Sequence, residues 1–112
     1  MPSTTNYNRG EIVLLPFPFS DQSAVKVRPA VVAHGPYPSE DLLVVAVTSI
    51  EGTPRPGEFA IRFWREGGLL HPSFVKRAVT SVSNSLVRKT LGHLHADDLK
   101  QLDSALRSWF GL

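Results

Sequence analysis

A chain of 112 residues without cysteine has room for one domain, residues 1–112, and excludes a disulfide-stapled scaffold, a thiolate zinc site and a cysteine nucleophile. No apolar stretch reaches the roughly 20 residues needed to cross a bilayer, and Met1-Pro2-Ser3-Thr4-Thr5-Asn6 lacks the charged and apolar regions of a signal peptide, so a cytoplasmic address is expected. The formal charge of +2 is unevenly spread: residues 1–51 carry three basic against five acidic side chains, and residues 52–96 seven basic against two acidic. Such a cluster suits either a polyphosphate partner or a solvated face.

In chain order, apolar runs of strand length bounded by turn residues predict strands over Glu11 to Leu15, Val27 to His34, Leu42 to Ser49, Glu58 to Trp64, Phe74 to Val82 and Leu91 to Leu94. Leu42-Leu43-Val44-Val45-Ala46-Val47 is apolar on both faces, as a central strand requires, whereas Phe59-Ala60-Ile61-Arg62-Phe63 begins to alternate, as nearer the surface. Proline and glycine predict loops at Pro16 to Asp21, Gly35 to Pro38 and Gly52 to Gly57, and Gly67-Gly68 reads as a turn. A short helical turn is expected from Asn84 to Lys89 with Ser83 as its cap. The one long helix spans Asp97 to Trp109, where Leu99, Leu102, Leu106 and Trp109 recur at helical spacing. Asp97 and Asp98 sit at its positive end, Arg107 at its negative end, and Gly111 closes it. The pattern is mainly β with a C-terminal α-helix.

Two segments place reactive groups at strand ends. In Val27-Arg28-Pro29-Ala30 a lone cation starts an apolar strand, and Pro29 holds Arg28 extended. Thr48-Ser49 puts two hydroxyls where the apolar strand Leu42 to Val47 emerges. Arg28 suits a structural ion pair and Thr48 a strand-end backbone bond. If the two strands are neighbours, the cation and hydroxyl together form a fixed point for a phosphate.

The ordered segments Gly10-Glu11-Ile12-Val13-Leu14-Leu15-Pro16-Phe17-Pro18-Phe19-Ser20-Asp21, Lys26-Val27-Arg28-Pro29-Ala30-Val31-Val32 and Val47-Thr48-Ser49 resemble the MazF/PemK toxin family in order and spacing. Gly68-Leu69, Ser73-Phe74-Val75-Lys76, Ser85-Leu86 and Leu91-Gly92-His93-Leu94 look like its second half, so the resemblance covers nearly the whole chain. It implies a twisted, SH3-like or CcdB-like β-barrel with a C-terminal α-helix, a homodimer, and inhibition by a cognate antitoxin. It further implies metal-independent cleavage of single-stranded RNA, such as mRNA, by attack of the ribose 2′-hydroxyl on the adjacent phosphorus. DNA lacks that hydroxyl and is not expected as a substrate.

On the resemblance, Arg28 and Thr48 match the family's catalytic arginine and threonine, with Arg28 weighted towards charge stabilisation because arginine stays protonated. RNA would run past Phe17 and Phe19 as stacking surfaces, Ser20 and Ser49, and Lys26, Lys76 and Arg77 as backbone contacts. Phe17 and Phe19 equally suit loop anchoring, and Ser20 and Asp21 an Asx or serine turn. The chain departs from those relatives that carry an acid in the strand after Ser73-Phe74-Val75: Ala78-Val79-Thr80-Ser81 supplies no carboxylate.

His93 and His95, at i and i+2, lack an accompanying cysteine or acidic cluster, so no metal is expected. His34 and His71 are free to shuttle a proton if folding brings either beside Arg28. No phosphate-cradling loop, nucleophile elbow or dinucleotide fingerprint occurs, and no cofactor is expected. The competing readings are a non-enzymatic CcdB-like toxin acting on a protein such as DNA gyrase, and a binding module that has kept the scaffold but lost catalysis.

Overall fold

The computed structural model describes residues 7–17, 26–35, 37–49 and 52–112. Strands β1 (Glu11–Phe17), β2 (Lys26–Val32), β3 (Asp41–Ser49), β4 (Phe59–Ala60), β5 (Ser73–Ser83) and β6 (Lys89–His93) precede helix α1 (Ala96–Phe110). They form one sheet in the order β4-β5-β3-β2-β1-β6, antiparallel at every pairing.

Period-two alternation gives the sheet two apolar faces. Ile12, Val31, Val45, Val47 and Val75 join Ile61, Leu69 and Leu94 beneath α1, which contributes Leu102 to the cluster and packs Leu99, Leu106 and Trp109 against it. Val13, Leu15, Ala30, Val32, Leu42, Val44 and Val82 form the second cluster, to which α1 contributes nothing. The sheet covers that second cluster by curling around it, and the result is a half-barrel with a helix on its outer face. Apolar composition on both faces of β3 follows, since Leu42 and Val44 serve one core while Val45 and Val47 serve the other.

Helix α1 starts at His95, whose Nδ1 accepts from the Asp97 backbone N–H at 3.1 Å while its ring stacks on Phe63 at 3.9 Å. It ends at Gly111 in the left-handed region, with the Leu112 N–H donating to the Arg107 carbonyl at 2.9 Å. His93 lies against the Arg9 and Leu94 carbonyls at 2.9 and 2.7 Å, so both histidines of the pair are engaged locally.

The largest departure from the sequence pattern is at Glu58 to Trp64, where only Phe59–Ala60 is a strand and residues 62–68 are turn. Asp98, 1% exposed, is the reason: its two carboxylate oxygens accept the N–H groups of Arg62 and Phe63 at 2.8 and 2.9 Å and draw them off the sheet. Asp98→Ala should leave both donors without a partner and lower stability by about 3 kcal/mol, read as a shift in the urea midpoint. Asp98→Asn, keeping one acceptor, should cost less.

Other boundaries move by one to three residues. The segment from Asn84 is a 3-10 turn over Asn84–Leu86, capped by Ser83 as expected, and Lys89 belongs to β6 instead. β1 runs on through Pro16 and Phe17, which the sequence pattern assigns to a loop. The Leu14 carbonyl accepts from the Arg88 N–H at 2.8 Å, so the polar edge of Leu14, and two residues on that of Pro16, faces β6. The β1–β6 ladder ends at Leu14↔Lys89, so the N–H that proline lacks is not needed there.

Candidate active-site cleft at the β2–β3 seam

A second proline opens the site. β2 pairs with β3 at Ala30↔Ala46, Val31↔Val45 and Val32↔Val44, and the Ala33 N–H still donates to the Leu43 carbonyl at 2.9 Å. The odd-numbered residues of β2 therefore turn their polar edges toward β3. Pro29 is the next in that series and has no proton to donate, so the ladder stops and the two strand ends separate.

A cleft of about 730 Å³ lies where they separate. Its polar lining is Lys26 and Arg28 from β2, Ser49 from β3, His71 and Ser73 from the start of β5 and the turn before it, and Lys89 from β6. Val47, Leu69 and Leu91 supply an apolar floor. Three of these side chains are cationic and, among the described residues that line the cleft, none is a carboxylate. The concavity is therefore a sink for negative charge, and its low-dielectric floor strengthens the attraction. Arg28 is half-buried, whereas Lys26, Ser49, His71 and Lys89 are exposed and Ser73 is 4% exposed.

The rim carrying His71 is tied down on both sides. Gly68, at φ +87°, crosses the backbone of β6 so closely that a Cβ would run into the Leu91 carbonyl, and Gly92 meets Gly67 in the same way. Leu69 is buried beyond the crossing, and its N–H donates to the Trp64 carbonyl at 3.0 Å. On the other side of the histidine, the Ser73 hydroxyl donates to the His71 carbonyl at 2.8 Å.

Of the residues singled out from sequence, Arg28, Lys26 and Ser49 meet in this cleft. Thr48 is half-buried between Val47 and Ser49, paired with Phe74 of β5, and is not among the lining residues. The β2–β3 pairing ends at Ala30↔Ala46, two residues short of Arg28 on one strand and of Thr48 on the other. Phe17 ends β1 opposite Lys26. Phe19 and Ser20 lie outside the described residues. Lys76 and Arg77 sit in an irregularity of β5 between the pairs Val47↔Val75 and Val45↔Val79, and neither lines the cleft. Arg77 instead flanks Gly57 beside the Trp109 indole, whose N–H donates to the Gly57 carbonyl at 2.9 Å.

Lys89 and Ser73 were not singled out by the sequence, because their approach to Arg28 depends on the pairings β1–β6 and β3–β5. His71 joins Arg28, while His34 lines a separate hollow with Tyr37 and Asp41. Among the described residues no group of three or more His, Asp or Glu side chains is placed to hold a metal, and no helix is long and apolar enough to cross a membrane.

Solved structures share this architecture. An endoribonuclease from a mycobacterial species, in complex with its cognate antitoxin, superposes with a TM-score of 0.73 at 15% identity, covering 95% of this chain and 96% of its own. A MazE–MazF structure from Deinococcus radiodurans gives 0.73 at 22% identity, with 95% and 97% covered. The Mycobacterium tuberculosis toxin MazF-mt6 gives 0.70 at 18% identity, with 91% and 97% covered. At these identities the likeness establishes the fold, that of the MazF-like half-barrels. No curated protein sequence matches the chain. Residues 8–110 match the family model of the PemK-like, MazF-like toxins of type II toxin-antitoxin systems, and the chain belongs to that family.

Proposed function

We propose that this toxin is an endoribonuclease that cuts single-stranded RNA at the Arg28 cleft without a metal ion. The observation that supports it most is a cationic cleft with no carboxylate among its described lining residues, built around an arginine on β2 just beyond the end of the β2–β3 pairing. An acidic metal site would need the opposite charge. The phosphodiester enters with its non-bridging oxygens toward the Arg28 guanidinium, whose fork matches two of them. Lys26 and Lys89 hold flanking phosphates, and Ser49 hydrogen-bonds the backbone. As the ribose 2′-oxygen bonds to phosphorus, negative charge builds on the equatorial oxygens, and Arg28 stabilises it. The P–O5′ bond then breaks, leaving a 2′,3′-cyclic phosphate and a 5′-hydroxyl. The Thr48 hydroxyl, at the end of β3, is assigned the part of second donor to the phosphate. The active form is a homodimer, controlled by a cognate antitoxin.

Purified protein should cut unstructured RNA in EDTA and leave matched DNA intact, and expression without an antitoxin should arrest growth. Inhibition of gyrase supercoiling with no RNA cleavage would replace this reading with the CcdB-like one. Thr48→Val, which keeps the β-branched shape and removes the donor, should lower kcat about 100-fold with little change in melting temperature.

A further inference from the structure

The reaction needs a group that accepts the 2′-hydroxyl proton, and among the described residues that line the cleft acceptors are few. Lysine and arginine are already protonated at neutral pH, and serine and threonine hydroxyls are too weakly basic. The same groups make proton donors plentiful. One described lining side chain differs: His71, an exposed imidazole on the rim. Histidine is the side chain type whose neutral form accepts a proton near pH 7. Ala78-Val79-Thr80-Ser81 of β5 offers no carboxylate.

The His71 backbone is also fixed in place. The Gly67-Gly68 crossing over Leu91-Gly92 and the burial of Leu69 set one side of the turn, and the bond from buried Ser73 to the His71 carbonyl sets the other. A general base has to be held at a defined distance from its proton, and contacts on both sides of the turn favour such placement.

We propose that His71 is the general base of the Arg28 cleft, a role that rests on the ribonuclease reading above. Neutral imidazole takes the proton from the 2′-hydroxyl as the O2′–P bond forms and becomes imidazolium. The P–O5′ bond breaks, and the departing oxygen takes a proton from water. The hydroxide so formed removes the proton from imidazolium, and the site is restored with no net proton change. Arg28 takes no part in the proton transfer and holds the phosphate. Among the described residues, the charged groups that line the cleft with His71 are Lys26 and Arg28 on β2 and Lys89 on β6, with the hydroxyls of Ser49 on β3 and Ser73 on β5. A base must be unprotonated to act, so the rate falls as the solution is acidified.

The test is single-turnover cleavage of an RNA oligonucleotide by the full chain and by the variants His71→Ala and His71→Gln, across pH 5 to 9. Both variants should cleave about 100-fold or more slowly, with unchanged RNA affinity and melting temperature. They should also lose the rising acidic limb of the pH profile, and added imidazole should restore part of the His71→Ala rate. Wild-type rates in the variants, or slowed rates with the limb intact and no response to imidazole, would overturn the assignment while leaving the Arg28 site standing. A full chain inert toward RNA would overturn both.

Discussion

Arg28→Ala is expected to slow RNA cleavage about 1000-fold while its circular dichroism spectrum stays that of the parent protein. The size of the effect follows from the position of the side chain. Arg28 is half-buried at the cleft, on the residue before Pro29, where the backbone is held extended and the β2–β3 ladder has just ended. A guanidinium that does not have to be reorganised during the reaction contributes far more than one recruited from solvent. Because its charge is needed most as the phosphorane forms, the loss should fall mainly on kcat and less on KM. Arg28→Lys keeps the charge but not the planar fork, so it should recover only part of the rate. An Arg28→Ala protein as active as the parent would remove this residue from the mechanism.

Gly68→Ala should be the most damaging small substitution for stability, by about 3 kcal/mol or more, read as a fall in urea midpoint and in soluble yield. Two costs add. At φ +87° a side chain is strained, and the new methyl would meet the backbone carbonyl of Leu91, which cannot rotate away as a side chain can. The displaced segment would carry buried Leu69 out of the helix-side core and move the His71 rim with it. Gly52→Ala is the matched control: its φ is +92°, but a Cβ there meets nothing within 4 Å, so only the conformational cost of about 1 kcal/mol remains. Equal stability of the two variants would contradict the close crossing.

These residues also show where the sequence is readable. The two-faced apolar run of β3 and the spacing of Leu99, Leu102, Leu106 and Trp109 are local patterns, and the sheet centre and α1 follow from them within a residue or two. The segment Phe59 to Phe63 alternates like a strand, yet the partner that bends it is Asp98, 35 residues further on. From sequence alone that aspartate is an ordinary acid at a helix N-terminus. Its burial depends on how α1 docks.

The site divides in the same way. Arg28 and Thr48 stand out through their placement beside a proline and at the end of an apolar strand, and through the family resemblance of the segments that carry them. Lys89 and Ser73 carry no local signal, since they approach Arg28 only once β6 has paired with β1 and β5 with β3. The opening of the cleft is legible in retrospect at Pro29, but only once it is known which strand its missing N–H would have faced.

The ribose 2′-oxygen should be the nucleophile at a phosphate held in this cleft. An RNA oligonucleotide cut at one position should be compared, in EDTA, with the same strand carrying a single 2′-deoxynucleotide 5′ to that bond. The unmodified strand should yield a 2′,3′-cyclic phosphate and the substituted strand should bind equally well but remain whole; cleavage of both strands at the same bond would contradict the mechanism.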